Sequence, residues 1–367
     1  MAKIDWPVKT LGEILELSYG KPLGAKDRDD NGLIPVYGAN GVKAYSKKSL
    51  VAGPSIIVGR KGSAGELNFC EGPFWPLDVT YYVEHDAKET NLSFLHYLLS
   101  LMDLPLLAKG VKPGINRNDV YALKAAIPPL EEQKRIVALL DAATARVTEL
   151  AACYERARTH ANNLFTSAVR DALESNPDWP IKTLGEVAVV NPSEPALSED
   201  APFVPMDAVT SGKRDIQYTQ PRGQRSGARA RAGDILFARI TPCLQNGKVA
   251  LVQDELARCG GSTEFIVVRA GPDVLNGYLY QWITSDHVRD EVTALMKGAT
   301  GRQRLNAEDL ALAELPVPPL EEQKRIVARL DSMKAKTSEM VAAYDAKLIA
   351  AKNLRQSILE AAFKGDL

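Results

Sequence analysis

The chain repeats itself, and this constrains its architecture more than any other feature. WPVKTLGE at 6–13 returns as WPIKTLGE at 179–186, and PPLEEQKRIVA at 128–138 returns unchanged at 318–328. The first pair is offset by 173 residues and the second by 190, so the second copy is 17 residues longer between its landmarks. Repeats of solenoids and propellers run at about 20–50 residues, so a period this long is a duplicated domain. Each half of the 367 residues is long enough to bury its own core. The bodies between the landmarks, 14–127 and 187–317, differ in length and almost everywhere in sequence. One physical cause would be a single kind of partner bound twice by the landmarks, with two unlike targets read by the bodies. The alternative is a plain duplication that drifted unevenly.

PPLEEQKRIVA reads as a helix start, with proline before the first turn and Glu131, Glu132, Glu321 and Glu322 at the positive end of the helix dipole. Apolar or small residues then recur at heptad spacing: Ile136, Leu140, Ala143, Val147, Leu150, Tyr154, Ala157, Ala161, Leu164 and Ala168. The second copy continues with Ile326, Leu330, Met333, Thr337, Met340, Tyr344, Lys347, Ala351, Leu354 and Ile358. Neither proline nor glycine interrupts 131–175 or 321–364. The pattern predicts two helices of ~65 Å that pair as an antiparallel coiled coil with pseudo-twofold symmetry. Its expected seam is Leu140, Val147, Leu150, Tyr154 and Leu164 against Leu330, Met340, Tyr344, Leu354 and Ile358. Thr337 and Lys347 weaken the second stripe.

The bodies read as mixed α/β. SIIV at 55–58 and DILF at 234–237 are buried-strand candidates, each followed by a small residue and an arginine, Gly59-Arg60 and Ala238-Arg239. A second strand candidate follows, DVTYYV at 78–83 and EFIVV at 264–268, then helical stretches at 92–107 and 275–296 that end in Lys-Gly turns. The expected organisation is a globular domain at 1–127, a long helix at 128–175, a second domain at 176–317 and a second helix at 318–367, with ESNPD at 174–178 as the turn between copies.

The formal net charge is -1, which excludes a basic tail but not a local basic patch. Such patches exist: eight Lys and Arg against three Asp in 21–61, and the same counts in 207–248. Cations neutralise phosphates, and Arg, Asn and Gln forks pair with base edges in the major groove. No apolar stretch reaches the ~20 residues of a membrane span, and the start lacks a signal-peptide pattern. Cys70, Cys153, Cys243 and Cys259 are too scattered for a disulfide framework, so a cytoplasmic protein with reduced thiols is expected. There is no phosphate-binding loop and no dinucleotide fingerprint. The nearest nuclease-like set is Asp78 with Asp86 and Lys88, and nothing like it occurs in the second body. His85, His96, His160 and His287 have no nucleophile at a readable spacing.

Two unlike bodies, each closed by PPLEEQKRIVA and a long helix, resemble the specificity subunit of type I restriction-modification systems. GRKGSAG at 59–65, GDILFARITPCLQNGK at 233–248 and the ending AAFKGDL carry the same likeness. The resemblance implies two target recognition domains that read a split, asymmetric site in double-stranded DNA, with the helices setting the gap. It also implies docking of two copies of an adenine methyltransferase subunit and of an endonuclease/translocase subunit. S-adenosylmethionine, ATP and Mg²⁺ would then serve those partners, with no metal, cofactor or catalytic residue in this chain. Expected DNA contacts are Arg60, Lys61, Ser63, Lys112, Asn116 and Arg117 in the first body. In the second they are Arg239, Thr241, Asn246, Lys248, Arg302, Gln303 and Arg304. The competing readings are a coiled-coil protein scaffold and a stand-alone nuclease.

Overall fold

The computed structural model describes residues 6–29, 31–174, 176–299 and 301–367. Ser175, within the expected turn at 174–178, lies outside them. Contacts divide the chain into two units: residues up to Glu155 with Ala346–Leu367, and Arg156–Asp345. No helix among the described residues is long and apolar enough to cross a membrane.

Each unit has a four-stranded antiparallel sheet in the same order. In the first unit the strands are Glu16–Tyr19, Thr80–Glu84, Ser55–Gly59 and Leu67–Cys70. In the second they are Ala188–Val190, Phe265–Ala270, Ile235–Ala238 and Val249–Leu251. A second sheet with one parallel pairing accompanies each, three-stranded in the first unit, where Ile34–Gly38 pairs with Trp75–Pro76, and four-stranded in the second, where Pro202–Val204 pairs with Arg258–Gly261. The apolar runs noted in the sequence are the inner strands, and covering on both faces explains why they do not alternate with polar residues. Side chains alternate across a strand. Ile56 and Val58 accordingly join the cluster of Phe94, Leu95 and Leu98, whereas Ile57 packs with Cys70 and Phe74. In the second unit Ile235 and Phe237 meet Tyr278 and Leu279, whereas Leu236 and Ala238 meet Val204 and Cys259.

The repeated landmarks do repeated structural work. Glu13 accepts hydrogen bonds from the N–H and hydroxyl of Thr10, both at 2.6 Å, and Glu186 does the same for Thr183 at 2.7 and 2.8 Å. Side-chain and backbone donors of Thr10 hold the Glu13 carboxyl below its usual range, and those of Thr183, backbone first, act likewise on Glu186. Val8–Thr10 pairs with Lys124–Ala126, and Ile181–Thr183 with Glu314–Pro316. The glutamine of PPLEEQKRIVA is fully buried in both copies. Gln133 donates to the carbonyls of Glu89 (3.0 Å) and Pro128 (2.9 Å) and accepts from the Asn91 N–H (2.8 Å). Gln323 makes the equivalent bonds to Asp273, Pro318 and Leu275. Replacing Gln133 by leucine removes the partner of three backbone groups, one in a buried bond and two in part-buried ones, at ~1–3 kcal/mol for each left buried and unsatisfied. The expected loss is about 2–4 kcal/mol in total, since relaxation and water satisfy part of the set, and urea unfolding checks it.

The long helices are Leu130–Leu173 (44 residues) and Leu320–Lys364 (45 residues). Each unit takes part of both, and the parts run antiparallel. In the first unit Ile136 and Leu140 share a core with Leu359 and Ala362, Phe94 lies 5.0 Å from Phe363, and Lys347 Nζ stands 5.2 Å over the Tyr154 ring. In the second, Ala168, Val169, Ala172 and Leu173 share a core with Ile326 and Leu330. There Arg158 pairs with Asp345 at 3.2 Å and Lys334 Nζ lies 4.6 Å over Phe165.

The expected seam residues fall into two groups. Leu140, Val147 and Leu330 are buried, and Tyr154, Tyr344 and Ile358 are half-buried. Leu150, Leu164, Met340 and Leu354 are instead 40–52% exposed. Ala151, Phe165, Val341 and Leu348 stand on the sheltered side, one residue further along than a strict heptad would put them at Leu150, Leu164, Met340 and Lys347. An unsupercoiled helix with 3.6 residues per turn drifts ~20° per heptad from a 3.5-residue repeat, and the sheltered stripe follows the helix. Thr337 is buried with its hydroxyl donating to the Met333 carbonyl at 3.0 Å, so its own helix satisfies it.

Candidate nucleic-acid interface

In the first unit the buried strand Ser55–Gly59 delivers Arg60 onto a frame of backbone bonds. The Arg60 N–H donates to the Val79 carbonyl at 2.9 Å, and the Arg60 carbonyl accepts from Ile115 at 3.0 Å. Gly62 N–H donates to the Pro113 carbonyl at 2.9 Å, and Lys61 bridges Gly114. These bonds set the 59–65 loop beside the 109–114 turn, itself closed by reciprocal Lys109–Gly114 bonds of 3.0 and 3.1 Å. Glycine is required at 59, because a Cβ there would lie 2.0 Å from the Ser63 carbonyl oxygen. Asn116 caps the helix Arg117–Tyr121 by accepting from the Asn118 N–H at 2.9 Å. Lys109 pairs with Asp119 at 2.9 Å.

The second unit repeats this frame with different side chains. The Arg239 N–H donates to the Glu264 carbonyl at 2.9 Å, and the Arg239 carbonyl accepts from Leu305 at 2.8 Å. Ile240 bridges Arg304 as Lys61 bridges Gly114. Thr241 N–H donates to the Gln303 carbonyl (3.0 Å), and Gln303 N–H returns a bond to the Thr241 hydroxyl (2.9 Å). Lys297 pairs with Asp309 at 3.1 Å, as Lys109 does with Asp119. Lys297–Ala299 and Arg302–Arg304 form a hairpin where the first unit has its short turn.

The frame therefore brings the sequence-derived candidates together within each unit, although their side chains differ in availability. Lys61, Lys112, Asn116, Asn246 and Arg302 are exposed, and Ser63, Arg60, Arg117, Thr241 and Gln303 are half-buried. Arg60 Nε and Nη2 both donate to the Asp78 carbonyl, at 3.0 and 2.5 Å. Lys248 Nζ is spent on the Met206 carbonyl at 3.0 Å. Asn246 stands on the 241–248 turn, where its carbonyl accepts from the Ser211 hydroxyl. Arg304 grips Glu264 with its guanidinium, and Arg304 is the first cause that holds the Glu264 carboxyl below its usual range. Arg239 Nε is buried without a hydrogen-bond partner.

Two participants were not visible in the sequence. Tyr19, 48% exposed, lies between two arginines: the Arg60 and Arg117 guanidinium carbons stand 5.4 and 5.2 Å from its ring centroid. Its neighbours come from separate elements, so no local pattern marks it. Glu264 looked like the polar start of an apolar strand. The nuclease-like set does not assemble: Asp78 precedes and Asp86 follows the strand Thr80–Glu84, a separation of roughly 20 Å or more at ~3.3 Å per residue. Among the described residues no group of His, Cys, Asp and Glu is placed to hold a metal ion.

The family model described as the type I restriction modification DNA specificity domain matches residues 3–152 and again 176–348. A putative type I restriction enzyme specificity subunit of Haemophilus influenzae is 25% identical over 92% of this chain and 90% of its own length. The EcoDI specificity subunit of Escherichia coli is 23% identical over 99% of this chain and 89% of its own. A chain from a solved structure on complex assembly and conformational transition of the type I R-M system has TM-score 0.77 at 20% identity, covering 99% of both chains. The HsdS subunit from Thermoanaerobacter tengcongensis has TM-score 0.55 at 21% identity, over 99% of this chain and 98% of that one.

Proposed function

The chain belongs to the type I restriction modification DNA specificity family, and on that premise we propose that it reads a split, asymmetric site in double-stranded DNA, one half with each unit. The observation that carries this reading is the shared backbone frame with unlike side chains. Arg60 and Arg239 hold equivalent bonds, yet Gly114 stands in one unit where Arg304 stands in the other. Equivalent placement with different hydrogen-bonding groups is what two readers of different base sequences need. The loops at 59–65, 109–117 and 239–248 and the strands Lys297–Ala299 and Arg302–Arg304 form the contact surface, and Tyr19 joins it as an aromatic platform between Arg60 and Arg117.

The docking of two methyltransferase copies rests on a second observation. Beyond the buried glutamine, the repeated helix start carries exposed charges that the core does not use. Lys134–Glu131 and Lys324–Glu321 both pair at 2.7 Å, and Arg135–Glu132 and Arg325–Glu322 follow the same i,i+3 pattern. Exposed pairs of this kind contribute about 0–1 kcal/mol, too little to demand identity. Two equivalent surfaces for two copies of one partner do demand it. The long helices set the gap between half-sites, and an endonuclease/translocase subunit joins through the same complex. The chain directs chemistry that its partners perform.

Single-molecule methylation sequencing of DNA from cells carrying this chain and its neighbouring methyltransferase tests the reading. The expected result is adenine methylation at one two-part motif. Arg239→Ala should cost ~1–3 kcal/mol of binding and relax one base position in the half read by the second unit. An unchanged motif and affinity would remove Arg239 from the reading surface.

A further inference from the structure

Glu264 stands where a carboxylate is least expected on a surface that meets phosphates. Arg239, Arg302 and Arg304 all surround it closely enough to favour its ionised form. Arg304 clasps it most directly, with Nε 3.1 and 2.9 Å from the two carboxylate oxygens and Nη2 2.5 Å from one of them. The pair is open to solvent, with side-chain exposures of 37% for Arg304 and 22% for Glu264. A guanidinium fork closed on a carboxylate has the geometry of one closed on a phosphate or on a guanine edge.

The fold does not need this clasp. The hairpin that carries Arg304 is already tied down by the Thr241–Gln303 bonds and by Leu305 N–H to the Arg239 carbonyl. In the first unit the same frame closes with Val79 and Gly114 at the equivalent positions and no ion pair.

Resting on the DNA-reading role above, we propose that Glu264 is a built-in competitor for DNA: it occupies the Arg304 fork until a correct sequence displaces it. Unrelated DNA meets a neutralised Arg304 and a carboxylate that repels its backbone. A correct half-site supplies an acceptor that fits the fork and takes over Arg304. Glu264 thereby lowers affinity for random DNA more than for the target, which makes it a specificity determinant that touches few or no bases.

The test measures binding of the full chain to two labelled duplexes, one of random sequence and one carrying the motif found by methylation sequencing, over a range of salt. Glu264→Gln should bind the random duplex roughly 3- to 10-fold more tightly at low salt, with a salt slope steeper by about one. The target duplex should gain less, so discrimination falls. Arg304→Ala leaves the Glu264 carboxylate unpaired, so it should weaken the random duplex by up to a similar factor, and combined with Glu264→Gln, which restores a neutral pair, it should return affinity to near the native value. Weaker binding of both duplexes by Glu264→Gln would overturn the proposal, because Glu264 would then merely position Arg304. An unchanged random-duplex affinity and slope in Glu264→Gln would overturn it too, as would a gain that survives undiminished in the Glu264→Gln, Arg304→Ala double variant. A native chain that bound neither duplex in a salt-dependent way would instead bring down the DNA-reading role itself.

Discussion

Exchanging residues 14–127 for the corresponding body of a relative will replace one half of the recognised DNA motif and leave the other half intact. The expectation follows from how each unit is built. The contact loops hang from a strand buried within their own unit, Ser55–Gly59 or Ile235–Ala238, and each frame closes through bonds inside that unit. The exchange has a packing condition. The first core includes Trp6, Leu11, Ile136, Leu140, Leu359 and Ala362, all outside the exchanged segment. The incoming body must therefore present apolar residues of similar volume where Phe94 and Leu98 now meet these side chains. Methylation sequencing reads the outcome directly. A change in both halves of the motif would contradict independent reading.

Arg269→Met should destabilise the second unit by ~3–5 kcal/mol, because it leaves a buried carboxylate without its cation. Arg269 holds Asp234, 1% exposed, with two bonds of 2.7 Å, and reaches Glu194, 9% exposed, at 2.7 Å. The Arg231 N–H at 2.9 Å also supports Asp234. A loss of this size lowers the melting temperature of a unit of this length by on the order of 10 °C. Amide exchange in Phe265–Ala270 should quicken accordingly. Arg269→Lys, which keeps the charge and loses the fork, should lose less. The pH dependence follows from the same contact. The Arg269 hydrogen bond holds the Glu194 carboxyl below its usual range. That contribution is fully present above the ordinary glutamate value of ~4.3 and is lost as pH falls through the depressed one. In Arg269→Met this acid-sensitive contribution shrinks to what Arg258 and Arg231 still supply, so the Glu194 part of the stability profile flattens. Equal exchange rates in variant and native chain would show the network to be dispensable.

Much of the architecture was legible because it rests on local or repeated signals. The inner strands appear where SIIV and DILF stand, since short apolar runs after Gly-containing turns have few other ways to be buried. The pairing of the basic loops was anticipated only as a coincidence of placement. Its cause is a set of backbone bonds that join Arg60 to Val79 and Ile115, and Arg239 to Glu264 and Leu305, all distant in sequence, which no local pattern encodes. The same holds for the occupied side chains. Arg60 tied to Asp78, Lys248 to Met206 and Arg304 to Glu264 all look like free cations in a sequence.

Duplication, helix starts and long uninterrupted helices were determined by the sequence alone, because each depends on identity, capping chemistry or the absence of breakers within a short window. Tertiary structure decided which helix face is sheltered and which unit each helix end serves. The heptad reading placed Leu150, Leu164, Met340 and Leu354 at the seam, yet all four are about half exposed. The second unit completes its core with Ala168–Leu173 of the first helix, and the first unit with Leu359 and Ala362 of the second. The physical reason is that a stripe on a helix says only that something covers it. What covers it, and with what drift per turn, depends on surfaces that meet only when the chain is folded.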